Sequence, residues 1–273
     1  MNECPAVHPA LPPLFDPQVP DHPALWAVFK GRHAGRAVVD DIRHPAQCVV
    51  RTDACLTYCS RDVSAAFLSE AIAHLCQIGP LWLIWPNATS SPPVTPPATV
   101  VTRRLGFSDC DPDSALLAGW RRRLPDGFAI RPIDRELLAR CEWRSDMEFY
   151  CGSVDSFLVN NFGLCLMRSG GSTAGVDGTP VAEIITEAYA SSLGDTHAEI
   201  GAVTREAHRG HGYAPVACAY LIAECARRGY QAYWSCDADN PPSARVARKL
   251  GFRHEQAYLI LEYGPLAATD AVV

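Results

Sequence analysis

The chain has 273 residues, 48% apolar and 20% charged, with a formal net charge of −6. That length holds one large domain or two small ones and is ample for a buried core. The composition excludes disorder, collagen and coiled coil as the main plan, and the acidic balance argues against nucleic acid as a partner.

Residues 1–23 carry seven prolines, no basic leader and no apolar stretch. They read as an extended proline-rich arm rather than a secretory signal. From residue 24 the chain becomes foldable. Gly35–Asp41 and Ala46–Cys59 are valine-rich and read as strands. Ser64–Ile78 places Ala66, Phe67, Ala71, Leu75 and Ile78 near one helical face. Pro80–Trp85 reads as a short buried strand. Five prolines between Pro86 and Thr99 mark a loop, because proline fixes φ and removes a donor. Ala115–Arg123 reads as a short helix.

A second unit is expected from about Pro125. Phe128–Ile133 is a predicted strand, and Asp134–Tyr150 a helix with Asp134 as its N-cap. Val154–Asn161 follows as a helix and Phe162–Met167 as a strand. Ser169–Thr179 is a glycine-rich turn region. Val181–Tyr189 and Thr196–Thr204 are strands, Ala214–Arg228 a long helix ended by Gly229, and Gln231–Cys236 a strand. Ser243–Leu250 is a helix stopped by Gly251, and Phe252–Tyr263 closes the chain as a strand. The short repeats Arg103–Phe107 (RRLGF) and Arg248–Phe252 (RKLGF) suggest two units of similar build.

The longest apolar run, Ala214–Ala223, is about half a membrane span. No membrane segment is expected, and the chain reads as cytoplasmic. Of the twelve cysteines only Cys55 and Cys59 lie close together, with no second pair to complete a zinc site. No metal is expected, and the thiols read as reduced core residues. All but Lys30 and Lys249 of the 24 basic residues are arginines. That usage suits fixed phosphate contacts, and GC-rich coding would also produce it.

The informative segment is Glu199–Ala214, EIGAVTREAHRGHGYA, where a strand runs through a tight loop into a helix. Gly210 and Gly212 remove side chains where a ligand must approach the backbone. Unpaired N–H groups at a helix N-terminus attract anions, and Arg209 adds a charge of the right sign. The loop describes a diphosphate cradle, although a plain glycine turn would share its composition. It is not a P-loop, because no Gly-Lys-Ser/Thr follows. It is not a dinucleotide fingerprint either, because the third glycine is missing.

Arg209-x-x-Gly212-x-Ala214 resembles the acetyl-CoA signature of the GNAT N-acetyltransferase superfamily. Asn240-Pro-Pro-Ser243 followed by Lys249-Leu-Gly251-Phe252 resembles the same superfamily's downstream segment. The order of elements from Phe128 to Tyr263 is similar to its core. Over the whole length, GRAVVDD and GSVDSFLVNNFGLCLM look like the subgroup containing the zwittermicin A resistance acetyltransferase.

The resemblance implies an α/β fold (α+β mixed sheet). A C-terminal GNAT fold with splayed central strands, residues 125–273, would follow a degenerate GNAT-like half without a cofactor loop, residues 24–124. It implies acetyl-CoA as cofactor and a small-molecule amine, possibly an antibiotic, as acceptor. The alternatives are a non-catalytic CoA-binding protein and a peptide or protein N-acetyltransferase. The chain would act as a monomer or homodimer.

By resemblance, Ala202, Val203 and Thr204 would pair with the pantetheine amides. Arg209, Gly210, His211, Gly212, Tyr213 and Ala214 would hold the diphosphate. Asn240 and Ser243 would meet the cofactor arm, although Asn240 also suits a helix N-cap ahead of Pro241. The catalytic candidates are Glu199, on a strand face with His197, Gly201 and Val203, and in reserve Glu183, on a face with Glu187 and Tyr189. Burial is expected to raise either carboxylate towards neutrality. One departure stands out: Ala247 occupies the place where many members carry a tyrosine that protonates the leaving thiolate.

Overall fold

The computed structural model describes residues 1–20, 22–92, 94–95, 97–169 and 182–264. The predicted turn region Ser169–Thr179 lies, beyond its first residue, outside the described residues. The chain folds as two compact α/β units. One comprises Met1–Gly106, Cys236–Asp239 and residues from Gln256 onward, and the other Phe107–Ser235 with Asn240–Glu255.

In the first unit the strands are β1 (Asn2–Pro5), β2 (Gly35–Val39), β3 (Cys48–Thr52), β4 (Leu56–Cys59), β5 (Leu81–Trp85), most of β6 (Val100–Ser108) and most of β12 (His254–Tyr263). They lie in the order β1-β2-β3-β4-β5-β12-β6. Helices α1 (His22–Phe29) and α2 (Ala65–Leu75) complete the unit. The start of the chain is therefore not an extended arm. Asn2–Pro5 pairs antiparallel with β2, and Leu11 and Phe15 are buried. Proline is tolerated there because β1 is an edge strand.

The Ser64 hydroxyl caps α2, accepting from the Phe67 N–H at 3.3 Å. Phe67, Leu68, Ile72 and Leu75 then bury against Val38, Val49, Leu81, Leu83 and Leu261. α2 joins β4 to β5, which pair in parallel, Leu56 opposite Trp82. The connecting residues 60–64, SRDVS, contain no glycine.

The second unit contains α3 (Ala115–Arg121), β7 (Phe128–Pro132), α4 (Arg135–Leu138), α5 (Arg144–Cys151), α6 (Val154–Asn160), β8 (Phe162–Arg168), β9 (Glu183–Leu193), β10 (His197–Thr204), α7 (Tyr213–Arg227), β11 (Gln231–Asp237) and α8 (Pro241–Leu250). Its strands run β7-β8-β9-β10 as an antiparallel meander, and β11 lies parallel to β10 across α7.

The segment Asp134–Tyr150 is two helices, not one, because the Glu187 carboxylate takes the N–H groups of Glu142 and Trp143 at the break. The two five-residue repeats have unlike structures: Arg103–Phe107 lies in strand β6, whereas Arg248–Phe252 ends α8 and turns at Gly251. The compact units divide at Gly106 rather than near residue 125, because α3 packs on α7 and α8. Leu117 of α3 is fully buried, and the Trp120 indole donates to the Lys249 carbonyl at 2.9 Å.

Candidate active site

β10 carries the site because its two neighbours leave it at different points. Against β9 it pairs along its length, to Thr204 opposite Thr186. Against β11 the pairing runs only from His197–Gln231 to Ile200–Trp234. Beyond Ile200 the residues Gly201, Ala202, Val203 and Thr204 continue as strand, so the two parallel strands part at that point. A parted strand offers backbone N–H and C=O groups to a ligand with amide groups of its own.

The fork is reinforced from β9. Glu199 stands opposite Ser192 and Ile200 opposite Ala190, so Ser191 is an extra residue, a β-bulge. The Asn161 amide holds this bulge, donating to the carbonyls of Ala190 and Ser191 at 2.9 Å each. Glu199 lies at the fork, and its carboxylate accepts from the Ser235 hydroxyl of β11 at 2.7 Å.

After β10 the chain turns through Glu206–His208 into the loop that opens α7. Gly210 and Gly212 have φ of 84° and 80°, and a Cβ at either would meet nothing within 4 Å. Space is open there, but only glycine takes that backbone without strain. Gly212 is the N-cap of α7 and brings no side chain to cap it. Pro215, at the third helical position, has no N–H to satisfy. The N–H groups of Gly210, His211 and Gly212 have no backbone partner among the described residues, and those of Tyr213 and Ala214 begin the helix without an acceptor behind them. This is a helix N-terminus presenting several donors around empty space, and it fits a diphosphate.

Side chains brace the loop. Arg209 Nε donates to the Thr204 carbonyl at 3.1 Å, and the Thr204 hydroxyl meets that of Thr186 at 2.9 Å. The His211 Nδ1 faces two carbonyls, of His208 and Arg209, so it carries the proton. Tyr213 stacks between His211 and Phe128. Asn240 caps α8, accepting from the Ser243 N–H at 3.1 Å, and the Ser243 hydroxyl accepts from the Trp234 indole at 3.1 Å. Both residues therefore have structural duties. Each keeps a donor, the Asn240 NH2 and the Ser243 hydroxyl proton, for a ligand.

The two candidate carboxylates sit in different surroundings. Glu183 is ion-paired to His208 at 2.8 Å and to Arg168 at 2.6 Å. The His208 hydrogen bond above all holds its carboxyl below the ordinary value, against the expectation that burial would raise it. Nor does it share a face with Glu187: the β8–β9 register shifts at Ile185, which breaks the alternation. Glu187 is fully buried, and burial raises its carboxyl despite N–H bonds from Glu142 (2.5 Å) and Trp143 (3.1 Å). It anchors the α4–α5 break. Ala247 is fully buried, so α8 offers no hydroxyl at that place.

Sequence reasoning passed over the wall above β9 and β10, made by α5. The Trp143 ring stands 3.4 Å from where a Cβ on Gly201 would lie and meets Tyr189 edge-on at 5.8 Å. The spacing Trp143, Asp146, Met147, Tyr150, Cys151 is the available signal, a helical stripe hidden by reading residues 134–150 as one helix. Among the described residues no cluster suited to a metal ion occurs, and no helix is long and apolar enough to cross a membrane.

Comparison with known proteins adds a family. A model described as GNAT acetyltransferase matches residues 13–261. The uncharacterized N-acetyltransferase YdfB of Bacillus subtilis (strain 168) is 28% identical over 144 residues, 52% of this chain and 51% of that protein, so the chain spans about half the length of the curated relative it matches. A GCN5-related N-acetyltransferase-like protein from Streptococcus suis has a similar structure, with a TM-score of 0.61, 20% identity, and coverage of 89% of this chain and 94% of the other. A tandem GNAT protein from the clavulanic acid biosynthesis pathway has a TM-score of 0.57 at 14% identity, covering 90% of this chain and 88% of its own. At these identities the two structures speak for the fold.

Proposed function

Because the chain belongs to the GNAT acetyltransferase family, we propose that it transfers an acetyl group from acetyl-CoA to a primary amine of a small molecule. The observation that carries this reading is the fork between β10 and β11, with Glu199 at its base and an uncapped helix N-terminus beyond it. The fold is a GNAT core whose first half repeats the parallel strand–helix–strand crossover at β4-α2-β5 but lacks glycines in the connecting loop. Likeness to a tandem GNAT protein of a biosynthetic pathway, and the motifs similar to the zwittermicin A resistance subgroup, support a small metabolite or antibiotic as acceptor. The twelve free cysteines suit a reducing cytoplasm.

The backbone of Ala202, Val203 and Thr204 pairs with the pantetheine amides. The N–H groups of Gly210, His211, Gly212, Tyr213 and Ala214 hold the diphosphate, with Arg209 adding charge. Asn240 and Ser243 donate to the cofactor arm. Acetyl-CoA supplies the acetyl group as an activated thioester. A free alkylamine has a pKa of about 10 and reaches the site protonated. Glu199, oriented by the Ser235 hydroxyl, takes that proton directly or through one water. Glu183 has no part in this, since its carboxylate is committed to His208 and Arg168.

The test is appearance of free CoA thiol when the protein is given acetyl-CoA and a panel of amines. Amine-dependent release is expected, and it should vanish in Gly212→Glu, which puts a side chain and a negative charge into the cradle. Calorimetry should find acetyl-CoA binding lost in that variant with the fold kept. Undiminished binding would remove the cofactor assignment.

A further inference from the structure

The α5 wall bears more charge than proton transfer requires. Its inward stripe is fixed at both ends. At one end Trp143 lies against Gly201 and Tyr189. At the other the Cys151 thiol sits 3.7 Å from the carbonyl of Ser191, the bulge residue whose hydroxyl reaches the Glu199 carbonyl at 3.4 Å. Met147, between them, is fully buried. Asp146 and Tyr150 share this stripe, so they look onto the stretch from Tyr189 to Glu199.

Two polar groups there have no side-chain partner of their own among the described residues. Among the described residues, no cation pairs with Asp146, although burial raises its carboxyl above the ordinary value. Tyr189 is 3% exposed, and its hydroxyl has no hydrogen-bond partner among the described residues. Burial above all, and then Tyr150, Asp146, Cys151 and Glu199 nearby, hold that hydroxyl in its protonated form by raising its pKa. Arg205 is turned to other groups: its Nη2 donates to the Arg140 carbonyl at 2.8 Å and its charge acts on Glu187, while its buried Nε has no partner among the described residues. A half-buried carboxylate held only by its own backbone N–H, on the helix face turned towards a phenol without a hydrogen-bond partner among the described residues, describes a site suited to a cation with hydrogens to donate. The Trp143 ring adds an aromatic surface that favours positive charge.

We propose that Asp146 and the Tyr189 hydroxyl form a cation subsite in the acceptor pocket, and that the preferred acceptor is a diamine. Its reacting nitrogen sits at Glu199, and its second nitrogen stays protonated and donates to Asp146 and to the Tyr189 oxygen. This rests on the acetyltransferase reading above and names its substrate class. A monoamine with an apolar tail fits less well, because it leaves the carboxylate desolvated and unpaired.

The experiment compares acetyl transfer to putrescine and cadaverine with transfer to n-butylamine and n-pentylamine. The wild-type protein should favour the diamines in kcat/KM. Asp146→Asn should lose roughly 10–100-fold on the diamines, through KM, the worth of one hydrogen bond to a charged group. Its kcat, its monoamine values and its acetyl-CoA affinity should barely move. Tyr189→Phe, which keeps the ring and the packing, should show a smaller loss of the same kind. Equal use of both series by the wild type, an Asp146→Asn variant that keeps the diamine preference, equal losses on both series, or no transfer to any of the four amines would overturn the subsite. Glu199→Gln separates the two proposals. If Glu199 is not the base, that variant keeps its turnover, and the diamine preference remains sensitive to Asp146→Asn.

Discussion

Glu183 and Glu187 lie four residues apart on β9 and titrate in opposite directions. Glu183 is held low by His208 and Arg168, so its contribution to stability is present above the ordinary carboxylate value and lost as pH falls through the lowered one. Glu187 is pushed up by burial. Its contribution is present below the ordinary value and lost as pH rises through the raised one. Its two oxygens nonetheless satisfy two N–H groups at the α4–α5 break. Glu187→Gln keeps one acceptor and turns an NH2 towards the other donor, which should cost about 1–3 kcal/mol for the unpaired buried group. Thermal unfolding should place the variant below the wild type at acidic pH, and the gap should narrow as pH rises through the raised value. A gap that widened with pH would mean that the carboxylate, not the carboxylic acid, is what the fold favours.

At the scale of elements, most of the second unit was legible. α7 announces itself by an apolar run between Gly212 and Gly229, and α8 by Asn240 and Gly251, because caps and glycines at fixed places are local chemistry. The fork is readable only indirectly. Nothing local in Gly201–Thr204 says that β11 leaves after Ile200; the GNAT-like loop implies it. The break in residues 134–150 was missed because it is caused from a distance, by a buried carboxylate on another strand. The bulges at Ile185 and Ser191 were invisible for the same reason: alternation carries no mark of where a partner slips by one residue. That slip moved Glu183 off the face shared by Glu187 and Tyr189. Asp146 was overlooked because its neighbours in sequence, Arg144 and Glu148, make it look like one more exposed charge, although those two pair with each other at 2.8 Å.

At the scale of the molecule, the two units are not two successive stretches of chain. Most of β12, which follows the second unit's stretches in sequence, belongs to the first unit and pairs there with β5, Leu261 opposite Leu83. Residues 107–124, expected with the first half, belong with the second. Their helix α3 buries Leu117, and its Arg121 carbonyl accepts from the Tyr220 hydroxyl of α7 at 3.2 Å. A protein starting at Pro125 therefore lacks part of the second unit's own core. It should be less soluble and unfold at lower temperature than the full chain. Within the full chain, Leu117→Ala alone should cost about 2–5 kcal/mol, as for other buried leucines. A stable, monomeric and active protein starting at Pro125 would show that neither α3 nor the first half is needed.

The central claim is that Glu199, at the fork, accepts the acceptor's proton. The most direct measurement is kcat for acetyl transfer by Glu199→Gln, with acetyl-CoA affinity measured on the same sample. The substitution keeps shape and volume and removes the base. A fall of roughly 10²–10⁴-fold in kcat with unchanged acetyl-CoA affinity is the predicted result, the usual size of a general-base contribution. Near wild-type turnover across pH 6–9 would contradict the claim.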